Sequence, residues 1–181
     1  MRNRTSRRNE VSAHTNLSPE DNRRRVFQRA VKLLAAKPRS VAELRERLLE
    51  WRGATGTVVE EVIARLREYG YLDDERYAFG YASLRVKQKP VGRKRLERDL
   101  MLRKIEGKVA GEALDLVFQE TTEEELIDRA IEKRVRLRGR PQSREDARKL
   151  FDHLLRQGFA FELVSERVRA IARGDTDEDS Y

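Results

Sequence analysis

Three prolines at near-equal spacing constrain this chain more than any other feature. Pro38, Pro90 and Pro141 lie 52 and 51 residues apart, each preceded by a basic residue (Lys37, Lys89, Arg140) and followed two positions later by a helix-start residue (Ser40, Gly92, Ser143). Apolar or small residues recur six positions past each proline, at Leu44, Leu96 and Ala147, and ten past, at Leu48, Leu100 and Phe151. The residue before a proline is pushed out of the helical region, so each proline marks a corner between helices. A fixed period of this length points to repeated supersecondary units rather than to one thick core.

The segments between the corners carry helical periodicity and no strand-like alternation. Ser18-Pro19-Glu20-Asp21 reads as an N-cap, a proline at N1 and acids in the first turn, followed by an inward stripe of Val26, Phe27, Ala30, Val31 and Leu34. Ser40 with Glu43 forms a capping box, and Val41, Leu44, Leu48 and Trp51 continue as a second stripe. After a loop at Gly53 to Gly56, Thr57 with Glu60 reads as another capping box, leading into Val59, Val62, Ile63 and Leu66. The second repeat has Tyr77, Ala78, Tyr81 and Ala82, then Leu96 and Leu100, then Val109, Ala113, Leu114 and Val117. The third, opened by Thr122 and Glu125, has Leu126, Ile127, Ala130 and Ile131, then Ala147, Leu150, Phe151 and Leu154, then Phe161, Val164, Val168 and Ile171. The expectation is an all-α chain of three tandem three-helix repeats over 18–72, 73–121 and 122–173, with a disordered basic arm at 1–17 and an acidic tail at 174–181.

Composition narrows the function. Charged residues make up 40% of the chain and the apolar set only 38%, which suits thin helical layers with much surface. No apolar run reaches membrane-spanning length and no apolar leader is visible, so no membrane association is expected. The absence of cysteine removes disulfides and thiolate metal sites and fits a cytoplasmic location. The histidines are His14 in the arm and His153 beside Leu154 and Leu155, the latter placed at a packed helix edge. Without cysteine they make no zinc site, and no phosphate loop or nucleophile elbow is present. No catalytic residue, metal or cofactor is expected.

The formal charge of +8 makes a polyanion the first partner to consider. Arg85, Lys87, Lys89, Arg93, Lys94, Arg95, Arg98, Arg103 and Lys104 face only Glu97 and Asp99 within their run. A second run, Lys133 to Lys149, holds Lys133, Arg134, Arg136, Arg138, Arg140, Arg144, Arg148 and Lys149 against Glu145 and Asp146, and all of these bases but Arg134 and Lys149 join the first run as candidate contacts. Both runs straddle a proline corner, and arginine, suited to bidentate contact with phosphate or carboxylate, dominates. A solvated face is the ordinary fate of such runs, and that alternative stays open.

One further stretch, Tyr69 to Ala78, packs a helix stop and a helix start into a few residues. Gly70 suits a left-handed C′ position with Tyr71 folding back on Leu66, Asp73 suits the next N-cap, and Leu72 with Tyr77 has the spacing of a hydrophobic staple. Asp74 and Glu75 place negative charge in the first turn. Asp73 and Asp74 are adjacent, do not share a helix face, and are explained by capping without any catalytic role.

This seam, the Ser40-x-x-Glu43-Leu44 helix start and the Lys89-Pro90-x-Gly92 corner with its basic helix to Leu100 resemble the RecX family of bacterial recombination regulators over roughly Val26 to Ile171. The family usually has a glycine after the lysine that closes this helix, whereas here Lys104 is followed by Ile105, so the turn into the sixth helix departs from the pattern. The resemblance implies an elongated array of three helix-turn-helix-like repeats and a non-enzymatic role. It implies binding in the groove of the RecA–DNA filament, restraint of RecA ATPase, strand exchange and coprotease activities, and some direct contact with single- or double-stranded DNA by a monomer. A tandem helix-turn-helix transcriptional regulator acting without RecA is the alternative, and it predicts a preferred duplex sequence.

Overall fold

The computed structural model describes residues 18–174, and among them it holds nine α-helices and no strand. The basic arm and residues 175–181 lie outside the described residues. The chain divides into two compact units, with the boundary between Asp73 and Asp74, inside the seam.

The first unit contains α1 (Pro19–Ala36), α2 (Val41–Leu49) and α3 (Gly56–Glu68). Ser18 caps α1 by accepting from the Asp21 amide, and α1 stops at Ala36, just before Lys37-Pro38. Ser40 and Glu43 form the expected capping box at α2. Val26, Ala30, Leu44, Leu48, Val59 and Leu66 are fully enclosed in this unit's core. Val31, expected on the inward stripe of α1, is instead 41% exposed, because Val26 and Ala30 already fill the face toward α2 and α3.

The start of α3 also differs from expectation. Its N-cap is Thr55, which accepts from the Val58 amide, so Gly56 is the first helical residue and Thr57 lies inside the helix. Glu60 is not closing a capping box: its carboxylate takes two bonds from Arg45 of α2, at 2.6 and 3.0 Å. With Thr55 as the cap, Glu60 lies beyond the third helical position, and its bidentate pair with Arg45 ties two helices together. The end of α3 is the Schellman stop that Gly70 foreshadows: Gly70 has φ +68, its amide bonds to Arg67 O at 2.9 Å, and the Tyr71 amide bonds to Leu66 O at 2.9 Å. The Tyr71 ring stays 64% exposed and lies edge-on to Tyr69, while Leu72 enters the first unit's core.

The second unit contains α4 (Asp74–Gln88), α5 (Arg93–Leu102), α6 (Gly107–Glu120), α7 (Glu123–Arg138), α8 (Arg144–Arg156) and α9 (Phe161–Gly174). Repeats two and three share one continuous core, from Ala78 and Ala82 through Leu96, Leu100 and Leu114 to Leu126, Leu154 and Phe159. Phe161, expected inward, is 54% exposed and packs edge-on against Phe151 at 5.4 Å. Phe159, two residues earlier, is the aromatic that the core encloses, at 1% exposure.

The join between the repeats is a backbone contact. The amides of Gly92 and Lys94, at the start of α5, donate to Gln157 O at 3.0 Å and Gly158 O at 3.2 Å, the C-cap of α8 and the residue after it. Opposite helix ends meet, so each satisfies groups the other leaves unpaired. The approach leaves no room for a side chain: a Cβ on Gly92 would sit 2.3 Å from the Phe159 nitrogen, and one on Gly158 would sit 2.3 Å from the Arg95 nitrogen. Each proline corner separates the first two helices of its repeat, and the residues two positions on, Ser40, Gly92 and Ser143, are the N-caps of α2, α5 and α8.

The turn after α5, where the family glycine is missing, is closed by Lys104 itself. Lys104 adopts φ +58, its amide bonds to Met101 O at 2.8 Å, and the Ile105 amide bonds to Leu100 O at 3.2 Å. Ile105 is therefore the C″ residue of a Schellman motif, 6% exposed, and it seals the core at that end.

Candidate nucleic-acid interface

The fifteen basic residues singled out in sequence all lie in the second unit, and the fold uses them in two different ways. Arg85, Arg95 and Arg103 converge on Asp99, a carboxylate on α5 that is 8% exposed. Arg95 Nε donates to Asp99 Oδ1 at 3.1 Å, Arg85 Nε lies 3.9 Å from Oδ2, and an Arg103 amino group donates to the Asp99 carbonyl at 3.0 Å. Tyr81 donates its hydroxyl to Oδ2 at 3.1 Å, while the Arg103 guanidinium covers its ring at 4.2 Å. Burial first, then the Asp99 charge, pushes the Tyr81 phenol above its ordinary range, so it stays a donor. The i, i+4 spacing of Arg95, Asp99 and Arg103 builds this hub along one face of α5, and α4 supplies Tyr81 and Arg85.

Arg93 is committed in the same way. It bridges Glu97 at 3.2 Å and Asp115 of α6 at 2.7 Å, and its guanidinium stands over Phe118. Its amide donates to Glu123 Oε1 at 3.1 Å. Arg85, Arg93 and Arg103 thus link α4, α5 and α6, while Arg95 holds Asp99 within α5. Lys87, Lys89, Lys94, Arg98 and Lys104 of the same run have exposed side chains, with Lys104 in the left-handed turn.

The second run is likewise divided. A concavity of about 320 Å³ at the Pro141 corner is lined by Arg134, Arg138, Arg140 and Lys149, with Asp146 at its side. Lys149 pairs with Glu145 at 2.8 Å and approaches Asp146 at 3.7 Å. Next to it, a cavity of about 220 Å³ forms where Lys89 and Pro90 meet α7 and α8, and Lys133, Arg134 and His153 line it. Arg134 belongs to both, so the two proline corners of this unit are contiguous through one side chain. Arg136 is exposed two positions from Arg134, on a different helix face, and Arg144 and Arg148 form their own i, i+4 row; none of the three lines either concavity.

Arg134, a member of the second run but not one of the candidate contacts, and His153, expected only at a packed helix edge, both line this surface. The signal for Arg134 was its i+4 spacing from Ala130 and to Arg138, which puts the three on one row of α7. His153 is half-buried, and burial first, then Arg134, Arg156, Lys89 and Arg138, holds its imidazole below the ordinary 6.5.

Among the described residues no group of three His, Asp or Glu side chains is placed to hold a metal ion, and no helix is long and apolar enough to cross a membrane.

Comparison with known proteins follows the same geometry. A family model described as the first three-helix domain of RecX matches residues 27–66, which is most of the first unit. The regulatory protein RecX of Treponema pallidum (strain Nichols) is 42% identical over 110 residues, covering 61% of this chain and 66% of the relative, so the chain spans just under two thirds of that protein's length. The regulatory protein RecX of Chlorobium limicola is 31% identical over 140 residues, covering 77% of this chain and 84% of the relative. The crystal structure of RecX from Lactobacillus salivarius matches the fold with a TM-score of 0.73 at 20% identity, over 84% of this chain and 98% of that one.

Proposed function

The chain belongs to the RecX family of regulatory proteins, and from that premise we propose that it regulates the RecA recombinase by binding the RecA–DNA filament. The observation that carries this reading is the concentration of exposed bases on the second unit, where two proline corners meet at Arg134 with few carboxylates among them. In the proposed mechanism this surface enters the filament groove and contacts DNA phosphates and acidic RecA surfaces on successive subunits. A bound bridge of that kind opposes the subunit rearrangement that filament growth and ATP turnover need, and so restrains ATPase, strand exchange and coprotease activities without any catalytic step of its own. The same chemistry gives modest, sequence-tolerant affinity for single- or double-stranded DNA, since phosphate contacts carry no sequence information. The protein acts in the cytoplasm as a monomer in this reading.

The separation between structural and exposed arginines decides which variant tests the proposal. Lys89, Lys133, Arg138 and Arg140 are exposed and line the two concavities, whereas reversal of Arg93 or Arg103 would break contacts between helices. Replacing those four exposed residues by Glu is expected to abolish inhibition of RecA ATPase on single-stranded DNA while leaving the melting temperature within a few degrees of the parent, roughly the effect of half a kcal/mol at the surface. Undiminished inhibition by the folded variant would remove the basic surface from the mechanism.

A further inference from the structure

The cavity between the Lys89-Pro90 corner and helices α7 and α8 has an unusual balance. Lys89, Lys133, Arg134 and His153 line it, Pro90 and Leu137 give it an apolar wall, and no carboxylate is among its lining residues. Elsewhere in this unit the arginines that approach each other do so around an acid, as at Asp99 or Glu97 and Asp115. Here three permanent cations and an imidazole face one concavity with no internal counter-charge. Such a group repels itself. An external anion relieves it.

We propose that this cavity is a phosphate-binding subsite that holds one phosphodiester of a nucleic-acid backbone, with Lys89, Lys133 and Arg134 as the charge-assisted donors and His153 becoming the fourth donor by taking up a proton. This rests on the reading that the basic surface of the second unit meets nucleic acid. A polymer is favoured over a single phosphate because Arg134 also lines the adjoining concavity with Arg138, Arg140 and Lys149, so consecutive phosphates find adjacent seats.

The proton follows from the surroundings of His153. Beside burial, the largest influences on it are the positive charges of Arg134, Arg156 on α8 itself, Lys89 at the corner and Arg138; Lys133 lines the same cavity, and Asp152 is its neighbour on α8. These positive charges and burial keep it neutral near pH 7 in the free chain. A phosphodiester among these bases offsets part of that positive field and, as an acceptor beside the ring, favours the imidazolium. Binding therefore takes up a proton: affinity is greatest below the free-state pKa of His153 and declines as pH rises through the bound-state value.

The experiment is a histidine proton NMR titration of the full chain, with the His153 resonance assigned by His153→Gln. It is run alone, with a short oligothymidylate, with inorganic phosphate, and with sodium chloride at matched ionic strength. The oligonucleotide should raise the His153 midpoint by about one unit, equivalent to about a tenfold gain in affinity on acidification, and chloride should not. A Lys133→Ala, Arg134→Ala double variant should lose the midpoint shift and bind the oligonucleotide several-fold more weakly. His153→Gln should bind with no such pH dependence. If the oligonucleotide binds but His153 titrates unchanged, the subsite is wrong and the wider reading stands. If only inorganic phosphate moves the midpoint, the cavity takes free phosphate and the nucleic-acid assignment fails. If the oligonucleotide does not bind at all, the wider reading and this subsite fall together.

Discussion

Lys104 holds a backbone conformation that costs a residue with a Cβ roughly 1–2 kcal/mol, and it does so at φ +58 in the C′ position of α5. The position demands left-handed geometry because the Ile105 amide must reach Leu100 O while its side chain turns into the core. Glycine would adopt that conformation without penalty but would lose about 0.5–1 kcal/mol in the unfolded chain's freedom. Lys104→Gly is therefore expected to stabilise the protein by about 0.5–1 kcal/mol, read as a higher urea midpoint at constant slope; an unchanged or lower midpoint would contradict it. Sequence alone signals Gly70 because glycine is the default for this geometry, and that stop forms as expected. It does not signal Lys104, because what selects the conformation there is the burial of the following isoleucine. Two threonines around Gly56 posed the same difficulty: both Thr55 and Thr57 have capping chemistry, and the Val58 amide bond to Thr55 shows which one the helix uses, with Glu60 taken by Arg45.

Among the elements, α5 and α9 share a device that no local pattern announces. Glu123, at the start of α7, accepts from the amide of Arg93 at 3.1 Å and from that of Ala160, so one carboxylate serves the first turns of two other helices. Burial outweighs these bonds and raises its pKa above the ordinary 4.5. Because the folded value is the higher one, this group favours folding most below the unfolded pKa, and that contribution is lost as pH rises through the folded value. Glu123→Gln keeps an acceptor oxygen and removes the charge, so its stability relative to the parent should be better at about pH 7 than at about pH 4. Glu123→Ala should instead cost about 1–2 kcal/mol, as a lost cap does. Chemical denaturation across that pH window checks both, and a pH-independent difference between the glutamine variant and its parent would sink the account. The proline period, the helix stripes and most caps were legible because they depend on residues within one or two turns. Glu123 was legible only as a first-turn acid, since the amides that donate to it lie 30 residues away or more in sequence. The Asp99 hub was hidden for the same reason: α5 alone shows Arg95 and Arg103 as members of a basic run, and only the packing of α4 brings in Tyr81 and Arg85.

For the molecule as a whole, the net charge of +8 overstates any single surface, because many cations are internal ties. Counting bases in a run identified where polyanion contact is plausible on electrostatic grounds, but not which side chains are left to make it. Salt dependence separates the two classes. Each phosphate neutralised on duplex DNA contributes about 0.9 to the slope of log affinity against log salt. Arg98 is exposed, so in the proposed interface Arg98→Ala should flatten that slope by about 0.9 if it meets one phosphate, with stability nearly unchanged. Arg95 is a tie to Asp99, so Arg95→Ala should leave the slope near its parent value while lowering stability by about 1 kcal/mol, a figure kept small because its side chain is partly solvated. Fluorescence titrations with labelled duplex at several salt concentrations, paired with urea unfolding of the same preparations, measure both quantities. If Arg95→Ala flattens the slope as much as Arg98→Ala does, the division of this surface into structural and contacting arginines is wrong. If neither variant changes it, Arg98 meets no phosphate, and the contacts with DNA are confined to other cations of this unit, such as those lining the concavities around Arg134.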